Sequence, residues 1–250
     1  MKRIDSIQNG SIKTWKKLHT KKERDKVGKF LVEGFHLVEE ALKAEVVETV
    51  LIIEDITFPS GWKMDNADVV IVTKDIMQVL SETETPQGII AVCQKGDVAD
   101  IDLQGGTYLL LDAVQDPGNI GTMIRTADAA GVRAVIIGNG SVDVYNSKAI
   151  RSTQGSLFHV PVIKGDLKEW ITKLQVNGVK VYGTSLHEAK PYQEVAVEGP
   201  AALIVGNEGS GVQEEVLVMT DENLYIPIHG RAESLNVAVA CGILLYYVRG

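Results

Sequence analysis

Cysteine is scarce in this sequence of 250 residues, and no hydrophobic run is long. Cys93 and Cys241 both stand in apolar surroundings, so the sequence supports neither a disulfide framework nor a cysteine metal site, and a reducing compartment is expected. The longest apolar stretch, residues 237–248, is shorter than the roughly 20 residues of a membrane-spanning helix. The N-terminus also lacks the apolar core of a signal peptide. We therefore expect a cytoplasmic protein.

Net positive charge is missing as well, since the formal net charge is −8, which taken alone argues against a nucleic-acid partner. Its distribution argues the other way. Residues 1–29 contain ten Lys and Arg against three Asp and Glu, a local charge of +7, so the rest of the chain carries −15. A basic arm that binds a polyanion and a merely solvated helix face are equally good explanations. Because Trp15 and Leu18 are the large apolar side chains among these lysines, we expect a flexible or docking arm.

From Phe30 onward the hydrophobic pattern becomes regular. Residues 30–96 predict a small α/β or α+β domain, with strands and helices in the order strand, helix, strand, strand, helix, strand. An acidic linker over 97–106 separates it from a second domain, 107–250. In that domain, strands are predicted at 108–112, 134–138, 179–183, 201–205 and 223–227, and helices at 119–130, 146–155, 166–177, 211–219 and 235–248. Such alternation indicates an α/β fold with a parallel sheet covered on both faces.

The stretch 108–131 combines a buried strand, a Pro-Gly turn and an amphipathic helix. Asn119 stands where an N-cap residue would accept the first free backbone donors of that helix. Arg125 lies far round the helix from its apolar stripe, so we expect it to point toward solvent, a ligand or a partner chain. The alternative for Arg125 is a surface pair with Asp128, three residues further on.

Two later stretches, 201–212 and 223–248, repeat the pattern of an apolar strand followed by a glycine-rich or polar turn. In a parallel sheet, the loops after three such strands would form a crevice beyond the carboxyl edge, where open α/β folds bind ligands. The pattern alone indicates a nucleotide-like ligand. A dinucleotide-dependent oxidoreductase is disfavoured, because the glycines at 206, 209 and 211 reverse the spacing of the dinucleotide-binding motif.

Several motifs together are more specific than any one loop. The segment DPGNIGTMIRTADAAG, with Asn119 and Arg125, resembles the first motif of the SpoU (TrmH) family of SPOUT RNA methyltransferases. IVGNEGSGV, with Glu208, resembles its second motif. IPIHGRAESLNVAVA, with Ser234 and Asn236, resembles its third, apart from an alanine at 238 where serine is common. The likeness extends to YNSKAIRSTQGS at 145–156, and GKFLVEG and TPQGIIAV resemble the edges of the family's ribosomal-protein-like RNA substrate-binding domain.

This resemblance implies a deep trefoil knot in the second domain, where periodicity alone would predict an ordinary doubly wound sheet. It also implies methyl transfer from S-adenosylmethionine to a ribose 2′-hydroxyl of RNA, with ribosomal RNA as the expected substrate and no metal. A tRNA substrate and a non-catalytic RNA-binding protein are the alternatives.

The resemblance further assigns the site residues. The catalytic set is Arg125, Asn119, Glu208, Ser234 and Asn236. The cofactor is expected at Thr184, Gly206, Ile226 and Leu235, held mainly by backbone groups. Guanidinium is a poor base at neutral pH, so we interpret Arg125 as an electrostatic clamp on the developing alkoxide. Capping is the alternative role for Asn119, Ser234 and Asn236, and an ordinary loop acid is the alternative for Glu208.

The last predicted helix, 235–248, is apolar almost all round, which is unusual for a surface helix of a monomer. It is therefore either a core helix or a dimer contact. We predict a homodimer built around it, in which Arg125 could face a site completed by the other chain, in line with the family resemblance.

Overall fold

The structure, a computed structural model, describes residues 2–64, 66–96 and 101–250. These residues form two compact units. The first lies within residues 1–97 together with Tyr145–Phe158, and the second lies within 98–144 and 159–250. The predicted linker 97–106 falls partly outside the described residues. Within the described part, no helix combines the length and the apolar character needed to cross a lipid bilayer.

The first unit is built on a five-stranded sheet of order β1-β4-β3-β5-β2. The strands are β1 (Lys2–Ile4), β2 (Lys29–Glu33), β3 (Val47–Ile53), β4 (Asp68–Val72) and β5 (Ile89–Gln94). The helices that precede the link to the second unit are α1 (Gly10–Lys17), α2 (Lys21–Val27), α3 (Phe35–Lys43) and α4 (Lys74–Leu80). All six elements predicted between residues 30 and 96 are present.

The prediction of a flexible arm over residues 1–29 is wrong. β1 pairs in parallel with β4, and α1 and α2 follow it as regular helices. Ile12 and Leu18 are buried in the same hydrophobic cluster as Leu80. Arg24 is buried too, and its guanidinium donates to the backbone carbonyl of Leu18 at 2.8 Å, which holds the turn between the two helices. The basic side chains therefore project from a folded surface.

Residues 145–158 also pack in the first unit, although the sequence pattern placed them in the second domain. They contain α6 (Ser147–Thr153), whose Ile150 is buried in the core of the first unit. The ring of Phe30 lies 4.6 Å from that of Tyr145 and stacks on Phe158 at 6.4 Å. The first unit is therefore completed by a segment that leaves the second unit after residue 144 and returns to it at residue 159.

The second unit contains a seven-stranded parallel sheet of order β10-β12-β9-β11-β6-β7-β8. The strands are β6 (Thr107–Leu111), β7 (Ala134–Ile137), β8 (Val162–Lys164), β9 (Lys180–Thr184), β10 (Lys190–Pro191), β11 (Ala201–Val205) and β12 (Glu222–Tyr225). The two central strands, β6 and β11, are buried on both faces, as the apolar runs predicted. The short edge strands β8 and β10 were not predicted, because three and two residues carry too little periodicity.

Helices cover this sheet: α5 (Pro117–Ala129), α7 (Leu167–Val176), α8 (Glu214–Leu217) and α9 (Val237–Arg249). The predicted α/β architecture is thus confirmed, with boundaries shifted by a few residues. The trefoil knot stays a prediction.

Both cysteines are free and buried, as expected. Burial raises the pKa of Cys241 to about 12. It also raises the pKa of Cys93 far above that of an exposed thiol. Neither thiolate is available for chemistry near neutral pH.

Candidate active site

Four neighbouring strands of the second sheet, β12, β9, β11 and β6, are parallel, so their carboxyl ends lie at one edge. The segments that follow these strands begin after residues 225, 184, 205 and 111. All the predicted site residues stand at these strand ends, in the loops that follow them, or in α5. The edge is the place where open parallel sheets bind ligands.

The turn after β6 leads into α5 through Asp116. The Asp116 carboxylate accepts a hydrogen bond from the backbone N–H of Asn119 at 2.9 Å and so caps the helix, and Pro117 follows at the first helical position. The prediction that Asn119 is the cap is therefore wrong, because Asp116 is correctly placed and its oxygen serves the same free donor. The Asn119 side chain, three positions into the helix, is left available for other partners.

Glu208, in the loop after β11, is that partner. Its Oε1 oxygen accepts from Asn119 Nδ2 at 3.0 Å and from the backbone N–H of Asp116 at 3.0 Å. Its Oε2 oxygen accepts from the backbone N–H of Gln115 at 3.1 Å. The carboxylate thus binds the start of α5 with both oxygens, at the positive end of the helix dipole. Glu208 is exposed, and its carboxylate orients the side chain of Asn119.

The ionisation of Glu208 follows from these contacts. Partial burial by itself raises the pKa of the carboxyl group. The hydrogen bonds from the Asn119 side chain and from the backbone of Asp116 and Gln115 outweigh it, and the pKa lies below its usual value. Glu208 is therefore a fixed anion at neutral pH.

Asn236 joins the third loop to this network. Its side-chain oxygen caps α9 by accepting from the backbone N–H groups of Ala238 at 2.9 Å and Val239 at 3.3 Å. Its Nδ2 donates to Asn119 Oδ1 at 3.1 Å. Both proposed roles, capping and site formation, are thus combined in one side chain. The result is a chain of hydrogen bonds from Asn236 through Asn119 to Glu208, which links all three motifs.

Two supporting residues were missed in the sequence. Asp112, 2% exposed at the end of β6, accepts from the Gln213 backbone N–H at 2.7 Å and from its side-chain amide at 2.6 Å. Asn207 donates to the carbonyl of Ala113 at 2.9 Å, and its oxygen accepts from the backbone of Gly209 and Ser210. These bonds fix the loop that carries Glu208. A polar residue one or two positions after each apolar strand was the signal available.

Gly206 is required by the path of this loop. A Cβ atom at this position would clash with the backbone of Gly211 and Val212, and nothing flexible could move aside. The path of the loop therefore requires glycine at position 206, independently of the predicted contact with the cofactor.

Arg125 and Ser234 stay outside the network. Among the described residues, Arg125 makes no hydrogen bond or ion pair, and its side chain is exposed on α5. The alternative pairing with Asp128 is not formed, because Asp128 bonds to His159 at 2.9 Å. Arg125 follows Asn119 by six residues, roughly 9 Å along the helix and on another face. Ser234 is likewise exposed, in the loop before α9.

The predicted cofactor residues lie at three of these strand ends and beside α9. Thr184 ends β9, Ile226 directly follows β12, and Leu235 precedes the cap of α9. Within the described chain, residues 227–235 make no hydrogen bond to other residues, so their backbone groups are open to a ligand. A cofactor held mainly by backbone groups fits such a loop, although no side chain here selects for it.

Comparison with known proteins settles the family. Residues 106–246 match the family model of the SpoU rRNA methylases, and residues 9–91 match that of the MRM3-like substrate binding domain. The chain belongs to the SpoU rRNA methylase family.

Relatives of this chain carry closely related names. It is 51% identical over 251 residues, covering 100% of both chains, to the 23S rRNA (guanosine(2553)-2′-O)-methyltransferase RlmP of Bacillus subtilis. The AdoMet-bound rRNA methyltransferase from Sinorhizobium meliloti matches with a TM-score of 0.90 at 31% identity, covering 99% of this chain and 97% of the other. AviRb from Streptomyces viridochromogenes, also solved with AdoMet, matches with a TM-score of 0.86 at 28% identity over 96% and 97%.

These findings confirm the predicted enzyme class, an S-adenosylmethionine-dependent RNA methyltransferase that acts on a ribose 2′-hydroxyl. The oxidoreductase and the non-catalytic RNA-binding protein are thereby set aside.

Proposed function

We propose that this protein methylates the ribose 2′-hydroxyl of a guanosine in 23S ribosomal RNA, in the cytoplasm, where ribosomes are assembled. The support is the 51% identity over the full length of both chains to an enzyme named for that reaction. Such identity extends through the substrate-binding unit as well as the methyltransferase unit, so it bears on the choice of RNA and not only on the chemistry. A tRNA substrate is the second candidate.

Bound S-adenosylmethionine supplies the electrophilic methyl group. The chain has to hold the 2′-hydroxyl in line with that group and to stabilise the developing alkoxide while solvent water takes up the hydroxyl proton. The methyl transfer would take place beside a rigid network formed by the side chains of Asn236, Asn119 and Glu208. The network is rigid because each of these side chains makes at least two hydrogen bonds. Asn119 can also present its amide to the ribose while Glu208 keeps its orientation.

Arg125 is the residue proposed to act on the nucleophile. A guanidinium group stays protonated at neutral pH, so its contribution is electrostatic: it stabilises the developing alkoxide and a neighbouring phosphate. Its side chain is exposed and has no partner within the described residues, so no existing interaction has to be broken for it to serve this role.

In a homodimer, Arg125 would lie beside the active-site loops of the partner subunit. The face of α9 that carries Val239, Ile243 and Tyr246 is exposed, with 52%, 37% and 55% of each residue accessible. This face continues onto α5, because α5 packs against α9 and Gly242 lies beside Thr126, the neighbour of Arg125. Burying the α9 face against a second copy would therefore place Arg125 at the subunit interface, facing the partner's loops.

The basic surface of α1 and α2 is proposed to bind RNA phosphates. Its exposed lysines lie on folded helices and not on a tail, so they present a fixed pattern of charge. They are Lys13, Lys16, Lys17, Lys21, Lys22 and Lys26. Phosphate contacts of this kind position an RNA without reading its sequence.

The proposed reaction is tested by mapping 2′-O-methyl groups in RNA from cells with and without this protein. One guanosine of 23S RNA should lose its methyl group when the protein is absent and regain it on complementation. Loss of a methyl group from tRNA alone would favour the second candidate. Unchanged ribosomal and transfer RNA would contradict the proposed function.

A further inference from the structure

The first unit contains a cavity of about 450 Å³ that the mechanism above does not use. It lies between α3 and the segment that joins β3 to β4. The described residues that line it include Trp62, Lys63, Asn66, Glu39, Lys43 and Glu45. A volume of this size lies within the range of sites for small ligands and single nucleotides.

The aromatic part of the wall is held firmly. The Trp62 ring lies 6.2 Å from that of Phe35 and 6.1 Å from that of Phe58, both tilted. Aromatic neighbours at such distances restrict the indole and keep it at the cavity without adding polar groups. A large aromatic side chain kept half-buried beside a cavity offers a surface on which a planar ligand can stack.

The polar part of the wall carries both signs of charge. Lys63 and Asn66 are exposed and follow Trp62 in the chain. On the α3 side, the Lys43 ammonium lies 3.4 Å from Glu39, so that pair is already neutralised in part. Glu45 adds a carboxylate at the end of α3. A nucleotide has matching groups: a phosphate for Lys63, and base N–H groups for the carboxylates and the Asn66 amide.

We propose that this cavity binds one unpaired nucleotide of the RNA substrate, with its base stacked on Trp62 and its phosphate against Lys63. The proposal rests on the proposed function. It goes beyond the general assignment of this unit to substrate binding, because it names a cavity, its residues and the strandedness of the RNA. An unpaired base is required, since only a base outside a helix exposes a face to an aromatic side chain.

Stacking also explains why a chain of net charge −8 can hold RNA at a site whose lining is nearly neutral. Base stacking on an aromatic side chain contributes binding without a strong positive field and tolerates different bases. The lysine surface of α1 and α2 would then supply the long-range attraction, and the cavity would fix the position of one nucleotide.

Tryptophan fluorescence tests the stacking directly. In a Trp15→Phe, Trp170→Phe protein, Trp62 is the sole tryptophan, so its emission reports on this cavity alone. Titration with GMP, AMP, CMP and UMP should quench this emission, whereas ribose 5-phosphate and inorganic phosphate should not. Quenching by none of the nucleotides at millimolar concentration, or equal quenching by inorganic phosphate, would overturn the proposal.

Binding of a 23S RNA fragment provides the second test. Trp62→Ala should raise the Kd for this RNA by about tenfold or more, with kcat at saturating RNA unchanged. Trp62→Phe should retain most of the affinity, because a ring remains. Lys63→Ala alters only an exposed side chain, so it cannot fail merely by unfolding, and it should weaken RNA binding and reduce its dependence on salt. Lys180→Ala, an exposed lysine in the second unit, is the matched control and should leave both unchanged.

The two proposals fail in different ways. If the cavity does not bind RNA, Trp62→Ala and Lys63→Ala will have wild-type Kd values while the enzyme still methylates its substrate. If the proposed function is wrong, the wild-type protein will not methylate the RNA at all, whatever Trp62 does on titration with nucleotides.

Discussion

Asn119 donates from Nδ2 to Glu208 at 3.0 Å while its Oδ1 oxygen accepts from Asn236 at 3.1 Å. The side-chain amide of Asn119 thus donates to a carboxylate through its nitrogen and accepts from the Asn236 amide through its oxygen. Because Glu208 follows β11 and Asn236 opens α9, this side chain connects loops that are about 90 and 117 residues away in sequence. The connection makes the three motifs one structural unit.

Replacement of Glu208 by glutamine should weaken this unit. The amide has a single oxygen acceptor, and its NH₂ group would face the backbone N–H of Asp116 or Gln115. We expect the unfolding free energy to fall by about 1 kcal/mol, since the site is exposed, and turnover to fall further because Asn119 loses its fixed orientation. Urea unfolding and kcat measured on the same protein check this. Asp221→Asn, another carboxylate acceptor on the second sheet, separates stability from turnover.

The pH dependence of stability should carry the signature of Glu208. Its pKa is lower in the folded state than in the unfolded chain, so the carboxylate stabilises the fold above the unfolded pKa of about 4.3. That contribution is lost as the pH falls through the folded pKa. The stability difference between the wild type and Glu208→Gln should therefore shrink steadily on acidification below that range. A difference that stays constant down to pH 3 or below would show that the lowered pKa is absent.

Arg125→Ala should abolish most turnover without disturbing the fold or the cofactor. Loss of one stabilising group for developing charge typically reduces kcat by about 10² to 10³. Because Arg125 has no partner among the described residues, the unfolding free energy should change by less than about 0.5 kcal/mol. Calorimetric titration with S-adenosylmethionine should give a nearly unchanged Kd.

Two controls sharpen this prediction. Arg133→Ala removes an arginine at the amino end of β7, away from the carboxyl edge that carries the loops, and should keep wild-type turnover. Arg125→Lys keeps the charge but not the guanidinium fork and should restore only part of the rate. Near wild-type methylation by Arg125→Ala would end the assignment.

If the protein is a homodimer built on α9, charged residues on the exposed face of that helix should dissociate it into monomers and lower its activity. Leu245 is fully buried, so a charge there would unfold the chain itself. Val239→Glu with Ile243→Glu instead alters the exposed face of α9 and should yield a folded monomer of 27.1 kDa with low activity. Sedimentation velocity and methylation are measured on the same samples. Val218→Glu, at a residue that is 75% exposed elsewhere in the unit, should remain dimeric and active.

The segment 145–158 should be necessary for the stability of the first unit. Ile150 is buried in the core of that unit, so Ile150→Ala should reduce the unfolding free energy by about 2–5 kcal/mol. Ser152→Ala, at a half-buried position of α6, should change it little. A fragment ending at residue 96 should then be markedly less stable than the first unit in the full chain, as hydrogen exchange of β2 and β5 would report. Equal protection in both would show the segment to be dispensable.

Much of this architecture could be predicted from the sequence. The strands β6 and β11 could be predicted because they contain four and five consecutive apolar residues, bounded by turn formers, and the alternation of strands with helices predicted the parallel sheet. The folded N-terminus could not be predicted, since lysine is the most frequent residue of α1 and α2 and few of their residues are apolar. Their few apolar residues, Ile12 above all, are buried only because β4 and α4 lie beneath them.

The site shows the same division. Motif likeness brought Asn119, Glu208 and Asn236 together, and the structure joins them by direct hydrogen bonds. The sequence could not show which residue caps α5, because Asp116 and Asn119 both stand at the predicted turn and have similar capping strength. Nor could the sequence place 145–158, since the packing of Tyr145 and Phe158 against Phe30 joins residues far apart in the chain and leaves no local pattern.

The most direct test of the account is methylation of an unmodified 23S RNA transcript by the purified protein. A 2′-O-methyl group removes the nucleophile for alkaline cleavage of the next phosphodiester, so the modified nucleotide appears as a gap in an alkaline ladder. We predict a single gap at one guanosine that requires S-adenosylmethionine, is absent with Arg125→Ala, and is retained with Arg133→Ala. Methyl incorporation without such a gap, or an equal gap with Arg125→Ala, would contradict it.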